Sequence, residues 1–318
     1  MPAMRDRPAL SDRIEANRDV ARRYLAALAA MDGPALAALH HEDVVFEILG
    51  TTPVSGRFCG RDACLGEVFP PVIAALAPGS FSFARDAVIA VVDEGGAVAI
   101  TRADGDAVRG GRYEQVYFLA LTIDDGLITK LDAAFDTAHV AEVVFGDRLA
   151  TPRERPEYRL PADLGPQPPG TEARKLVERY YAALATADIA AFLDLHAPDV
   201  VFDLPGCLPV SGHFVGHEAC VNGVIEPFLT TFDLTRTTFG RRYRILCADD
   251  TRVAALMRGG GRTTSGRIAD VIFAQLFTVR DGQIVHLHEQ MDTAHVEDAC
   301  YANPLRDHRA LTSGGLVV

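Results

Sequence analysis

Five residues, Asp-Thr-Ala-His-Val, stand at 136–140 and again at 292–296. Each copy closes a run whose alternation would set chemistry-bearing side chains on one face of a strand. In "QIVHLHEQMD", Ile284, His286, His288, Gln290 and Asp292 share one face, opposite Val285, Leu287, Glu289 and Met291. The first run sets Ile128, Lys130, Asp132, Ala134 and Asp136 on the corresponding face. Asp136 and Asp292 end these faces as carboxylates, and a carboxylate whose charged form is disfavoured by desolvation suits proton transfer. The competing reading makes both aspartates caps of a helix that begins with Thr, Ala and His. His288, and Glu226 before Pro227, have no counterpart 156 positions earlier, where Asp132 and Pro70 stand, and would complete an acid/base set with Asp292. His286 and His288, alternating on one face, suggest a metal; no third ligand is evident, and no metal is expected.

Other groups carry weaker signals. Glu47 and Asp203 end matching β-branched runs, "DVVFEI" and "DVVFDL", where a carboxylate would stand near a buried substrate or simply in solvent. "ITRADGD" supplies Arg102 and Asp104, whereas the matching "LMRGGGR" gives Arg258 followed by glycines; "RADGD" also reads as a polar turn. Cys64 and Cys220 recur on an expected helix with no basic neighbour to activate a thiolate, so packing is expected. His40 and His196 read as satisfied core histidines in helical runs, and His213 and His217 as surface loop residues.

These pairs belong to a larger pattern. Asp292 lies 156 positions after Asp136, and the offset holds for "RRYLAAL" and "ERYYAAL", and for "DVVFEILGTTPVSGRFCGRDAC" and "DVVFDLPGCLPVSGHFVGHEAC". It holds again for "TIDDGLI" and "TVRDGQI", without a gap, and roughly a third of aligned positions are identical. A period of that length is a whole domain, not a solenoid unit. The expected division is residues 1–150, a Pro-rich linker at 151–170, a second domain at 171–305 and a loosely held tail at 306–318. Within each unit, helical periodicity comes first, broken near Asp32-Gly33 and Ala187-Asp188, then a strand and a Pro-containing helix. Antiparallel strands follow, turning at Asp125-Gly126 and Asp281-Gly282, which makes each unit an α+β domain.

Composition narrows the classes. The chain has 318 residues and a formal net charge of −12, which argues against nucleic-acid binding. No stretch has the apolar length of a membrane span, and the charged N-terminus lacks a signal-peptide core, so a cytoplasmic location is expected. The six cysteines include no C-x-x-C pair.

The combination of "RYYAAL", "DVVFDLPG" with its following "PVSG", and "FTVRDGQIV" leading to "EQMDT" resembles the SnoaL-like branch of the nuclear transport factor 2-like superfamily. Relatives there include polyketide cyclases, ketosteroid isomerases and limonene epoxide hydrolases. The resemblance implies cone-shaped α+β barrel domains, a curved antiparallel sheet wrapped on helices around an apolar pocket. Relatives pair through the outer sheet face, so the tandem chain is expected to form an internal pseudo-dimer. The resemblance also implies roles: Asp136 and Asp292 as acid/base carboxylates, Asp203 and Glu47 as proton shuttles, and Tyr24 and Tyr180 as oxyanion donors. The isomerases' second oxyanion donor falls near Leu119 and Gln275; Leu119 cannot donate, and Gln275 could do so only as an amide. An epoxide-opening set would use Arg102, Asp104 and Asp136, although its water-holding tyrosine is replaced by Val45 and Val201.

The expectation is therefore a cofactor-independent acid/base enzyme that cyclises, isomerises or dehydrates a small apolar oxygenated molecule, polyketide-like or terpenoid. Phe46, Phe202, Asp132, Arg258, Gln275 and Gln290 are expected to contact it. Epoxide opening and non-catalytic ligand binding are the alternatives.

Overall fold

The first helix, α1 (Leu10–Ala29), buries Ile14, Val20, Ala21, Tyr24, Leu25 and Leu28 on one stripe. It ends at Ala29, and Met31 just beyond has a φ of 54°, in the left-handed region. Asp32 then caps α2 (Gly33–Leu39) by accepting the Ala35 N–H at 2.9 Å, so the chain breaks where the sequence indicates. Next come β1 (His40–Ile48), β2 (Gly56–Cys59), α3 (Arg61–Glu67) and α4 (Phe69–Ala74). Pro70 and Pro71 sit in the first turn of α4, where no amide hydrogen is needed. Four strands complete the sheet, β3 (Ser82–Asp93), β4 (Gly96–Asp106), β5 (Arg112–Asp124) and β6 (Leu127–Ala134), before the short α5 (Thr137–Val140). This computed structural model describes residues 9–153, 160–161 and 165–306. Most of the tail expected at 306–318, and two stretches of the expected linker, lie outside the described residues.

The second unit repeats the order with α6 (Glu172–Thr186), α7 (Ile189–Asp194), β7 (His196–Leu204), β8 (Gly212–Val215), α8 (His217–Cys220) and α9 (Glu226–Leu229). It continues through β9 (Arg242–Ala248), β10 (Arg252–Arg262), β11 (Ile268–Arg280), β12 (Gln283–Met291) and α10 (Thr293–Tyr301). The sheets run β2-β1-β6-β5-β4-β3 and β8-β7-β12-β11-β10-β9. Each is open, its end strands unpaired with one another, so the domains are half-wrapped cones and not closed barrels. One pair in each sheet is parallel, β1 with β6 and β7 with β12; the expectation of an all-antiparallel sheet is corrected there. The hairpin turns at Asp125-Gly126 and Asp281-Gly282 have positive φ at both central residues, as a two-residue turn between twisted strands requires.

The pleat gives every long strand two destinations. On β4, Ala97 and Ala99 join the core under α1, while Val98 and Ile100 point the other way. The outward residues of the two sheets meet: Val98, Ile100 and Phe118 share a buried cluster with Ala254, Leu256 and Leu276. The two domains thus pack sheet to sheet as an internal pseudo-dimer.

The repeated pentapeptides form a polar seam within that interface. Asp136 and Asp292 cap α5 and α10, accepting the His139 and His295 N–H groups at 3.1 and 3.3 Å. Each aspartate also accepts the threonine hydroxyl of the other domain: Thr293 donates to Asp136 and Thr137 to Asp292, both at 2.6 Å. The same hydroxyls accept the N–H of Ala138 and Ala294 across the seam, at 2.9 and 3.0 Å. Gly50, at φ 120°, lies so close that a Cβ there would stand 2.3 Å from Thr137 Cγ2. Gly206, 156 positions later, faces Thr293 in the same way.

Thr137→Val keeps the shape but removes a donor to Asp292 and an acceptor for Ala294. We expect it to lower the unfolding free energy by about 1–3 kcal/mol. Denaturant titration checks this, and Thr293→Val should do the same from the opposite side. An unchanged midpoint in both variants would remove the seam from the account of stability.

Candidate active site

Each domain forms a partly open apolar cavity between its helices and the concave face of its sheet, with about 680 Å³ of empty space in the first and about 650 Å³ in the second, the solvent at the mouth included. In domain 2 the walls include Phe192, Phe202, Phe228, Phe273 and Leu287, and the polar groups are Tyr180 and Glu289. Strand alternation aims Leu287, Glu289 and Met291 inward; His288 and Gln290 therefore face away from the cavity.

Glu289 is held by its cross-strand neighbour. Gln275 stands directly opposite in the β11–β12 ladder, and its Nε2 donates to Glu289 Oε2 at 2.5 Å. The Tyr181 hydroxyl donates to Gln275 Oε1 at 2.7 Å, which fixes the amide with its donor end toward the carboxylate. Burial pushes the Glu289 carboxyl up to about 7, against the pull of the Gln275 hydrogen bond. Burial also drives the Tyr180 phenol well above its ordinary value, with the Glu289 charge adding to the rise. Tyr180 therefore stays a protonated donor beside a carboxyl poised near neutrality.

The domain 1 cavity has no carboxylate. Ala133 stands where domain 2 has Glu289, and Leu119 where it has Gln275. Its polar groups are Tyr24, Thr101, Tyr113 and Tyr117, and the hydroxyls of Tyr113 and Tyr117 hydrogen-bond to each other.

Several expected site residues lie elsewhere. Phe46, Phe202, Tyr24 and Tyr180 line the cavities, and Gln275 touches Glu289. Asp136 and Asp292 line neither cavity; they are the caps and seam groups described above. Burial raises the Asp292 carboxyl, and the Thr137 hydrogen bond pulls it back. Glu47 and Asp203 follow cavity-facing phenylalanines by one residue, so the pleat turns them outward. Glu47 joins a buried ion network with Lys130 at 2.5 Å and Arg57 at 3.3 Å. Lys130 also reaches Asp132, which takes both its oxygens to Arg244 of the other domain at 3.0 Å.

In domain 2 histidines replace those cations. Asp203 accepts from His213 at 2.7 Å and His286 at 2.8 Å. Burial raises its carboxyl, but those two hydrogen bonds outweigh burial and leave it below the usual value. His213 is therefore a partner on β8, not a free loop residue. Burial pushes His288 down to about 3, so it stays neutral and away from the cavity. Gln290 donates to Val116 O across the interface at 3.1 Å. Among the described residues, no three His, Cys, Asp or Glu side chains gather as a metal site.

The Arg-x-Asp reading meets the same geometry. Asp104 accepts from Ser82 at 2.7 Å and pairs with Arg85 and Arg112, while Asp136 lies at the seam; the set does not converge on a cavity. Arg258 forms a two-point pair with Asp270 at 2.8 and 2.5 Å on the surface. Glu226 opens α9 and lines neither cavity. His40 and His196 open strands and do not sit in helices; His40 has no hydrogen-bond partner on either ring nitrogen among the described residues. Cys64 and Cys220 are buried, and burial pushes both thiols up to about 11, as packing residues should show.

Sequence reasoning passed over Glu289, Tyr113 and Tyr117. A signal was present: Glu289 interrupts an apolar face, Leu287–Met291, at a position where the first unit has alanine.

The family model for the SnoaL-like domain matches residues 21–131 and again residues 177–287. No curated protein matches. Solved structures that resemble one domain include an NTF2-like protein from Burkholderia xenovorans, 19% identical, covering 41% of this chain and 97% of its own, with a TM-score of 0.33. A putative isomerase from Bacillus subtilis is 20% identical over 43% of this chain and 97% of its own, with a TM-score of 0.34. A putative polyketide cyclase from Pseudomonas putida is 21% identical over 41% of this chain and 99% of its own, with a TM-score of 0.31. The paired matches of the family model, which together take in most of the chain, make this protein a member of the SnoaL-like domain family with two such domains in tandem.

Proposed function

We propose that domain 2 is an acid/base catalyst for a small, mostly apolar oxygenated molecule of polyketide-like or terpenoid type, which it isomerises, cyclises or dehydrates. The reading rests on one observation: Glu289 is a lone carboxyl in an apolar cavity, brought to about 7 by burial. A general base is most effective when its pKa lies near the working pH. In the proposed step the Glu289 carboxylate takes a proton from the carbon next to a carbonyl, and the electron pair moves onto the carbonyl oxygen. Tyr180 donates a hydrogen bond to that developing oxyanion. The protonated Glu289 then returns the proton to another carbon, or to a departing hydroxyl. This chemistry needs no cofactor. Membership of a family that includes polyketide cyclases and isomerases is consistent with the reading.

2-Tetralone, a planar apolar ketone with acidic α-hydrogens, supplies a test through its hydrogen–deuterium exchange in heavy water, followed by proton NMR. The protein should accelerate exchange, and Glu289→Gln should lower the rate by about 100-fold or more. The rate should rise with pH through about 7 and then level off, because the base form is the ionised one. Asp292→Asn should leave exchange intact while loosening the seam. No acceleration by the wild type, or full exchange in Glu289→Gln, sinks the assignment.

The same carboxyl makes a stability prediction with a definite sign. Its pKa is raised on folding, so between the unfolded value near 4.5 and about 7 the native state holds a proton that the unfolded state has released. Stability therefore falls as pH rises through that window, by up to about 3 kcal/mol. Glu289→Gln should flatten this slope and gain stability at pH 8 relative to wild type, as melting curves at pH 5 and pH 8 would show.

A further inference from the structure

The domain 1 cavity has lost the acid and gained phenols. Tyr113 and Tyr117 lie four apart on β5 and so share a face, the one aimed into the cavity; their counterparts 156 positions on are Ala269 and Phe273. Their hydroxyls hydrogen-bond to each other, which uses one phenolic proton and leaves the second without an acceptor. Tyr24, 1% exposed, also lines the cavity, and its hydroxyl has no hydrogen bond among the described residues. Thr101 is not free in this way, because its hydroxyl donates to Arg85 O at 3.0 Å. Two phenolic protons thus face one apolar space with no acceptor among the described residues. Buried donors left unpaired are costly, and a ligand oxygen relieves that cost. Burial holds Tyr117 up to about 12, and raises Tyr24 and Tyr113 too, so all three remain donors at neutral pH.

We propose that the domain 1 cavity is a second ligand site, which takes a neutral, largely apolar molecule by a carbonyl-type acceptor oxygen and carries out no proton transfer on it. The donors are Tyr24 and the Tyr113–Tyr117 pair. The contrast with domain 2 is chemical: phenols without a base in one cavity, a base with one phenol in the other. The inference stands on domain 1 alone and does not need the Glu289 reading.

2-Tetralone serves as the probe for the full chain, by calorimetric titration and by the infrared carbonyl band of the bound ketone. Ala133→Ile, which fills part of the domain 1 cavity from β6, should remove one equivalent of binding. Tyr24→Phe/Tyr113→Phe/Tyr117→Phe should weaken that equivalent about tenfold. The triple variant should also remove the domain 1 share of the carbonyl band shifted to low frequency by phenolic hydrogen bonds, leaving the share held by Tyr180 in domain 2. Melting curves establish that both variants fold. Unchanged stoichiometry in Ala133→Ile, or an unchanged band in the folded triple variant, overturns the site. The Glu289→Gln chain tests the absence of proton transfer: it should still bind the domain 1 equivalent without accelerating exchange. Residual accelerated exchange that disappears on adding Ala133→Ile would overturn that part. Residual exchange indifferent to Ala133→Ile would instead count against the Glu289 reading alone.

Discussion

The structure depends on a reciprocal hydrogen-bonded seam at the pseudo-two-fold axis. Each domain ends its sheet with an aspartate that must cap the next helix, and each aspartate completes its shell with a hydroxyl from the other domain. The threonines in turn receive backbone N–H groups from across the seam, so the donors and acceptors at both helix starts are paired. A buried carboxylate is stable only with such partners. Neither domain supplies them alone, which ties each α5 or α10 terminus to the presence of the neighbouring domain. Gly50 and Gly206 leave the room that this close approach requires.

That interface also decides which polar residues are left for chemistry. Every sheet strand has an inner and an outer face, and the outer face meets the partner domain or its rim. Asp132 with Arg244, Asp203 with its two histidines, and Gln290 with Val116 are outward groups satisfied there. Inner positions face hydrocarbon, where a polar group is expensive unless it has a partner. Glu289 has Gln275, and Gln275 has Tyr181. In domain 1, Tyr113 and Tyr117 have each other. An inward polar group is therefore rare, and its cost is an argument that it serves the cavity.

The duplication, the order of elements, the helix breaks and the hairpin turns were legible in the sequence because each rests on local chemistry: Asp caps, Asp-Gly turns, periodic apolar residues. The phenylalanines and first-helix tyrosines of the cavities were legible as well. The face of the last strand was not. Counting outward from Asp292 assigned His288 and Gln290 to the cavity, yet Asp292 is a helix cap beyond the strand end, and a register shift interrupts the strand between Ile284 and His286. Alternation tells which residues share a face but not which face is inside. Apolar neighbours decide that, and Leu287 and Met291 flank Glu289. The outward aspartates looked catalytic because a sequence does not show the partner that neutralises them.

Tandem duplication in one chain has a physical consequence that a pair of identical subunits lacks. In a symmetric dimer any substitution appears in both cavities at once. Here Ala133 and Glu289, Leu119 and Gln275, and Tyr117 and Phe273 occupy matched positions with different chemistry. The seam and the sheet–sheet core need matched backbones, not matched cavities, so the inner faces were free to diverge while the outer faces stayed paired. The Glu289–Gln275–Tyr181 chain is complete only in domain 2, because Leu25 stands where domain 2 has Tyr181. Placing a carboxylate at 133 alone would leave it without a donor opposite, facing Leu119. The two cavities are therefore separated by a coordinated set of positions, which is why one fold repeated in register supports two different pockets.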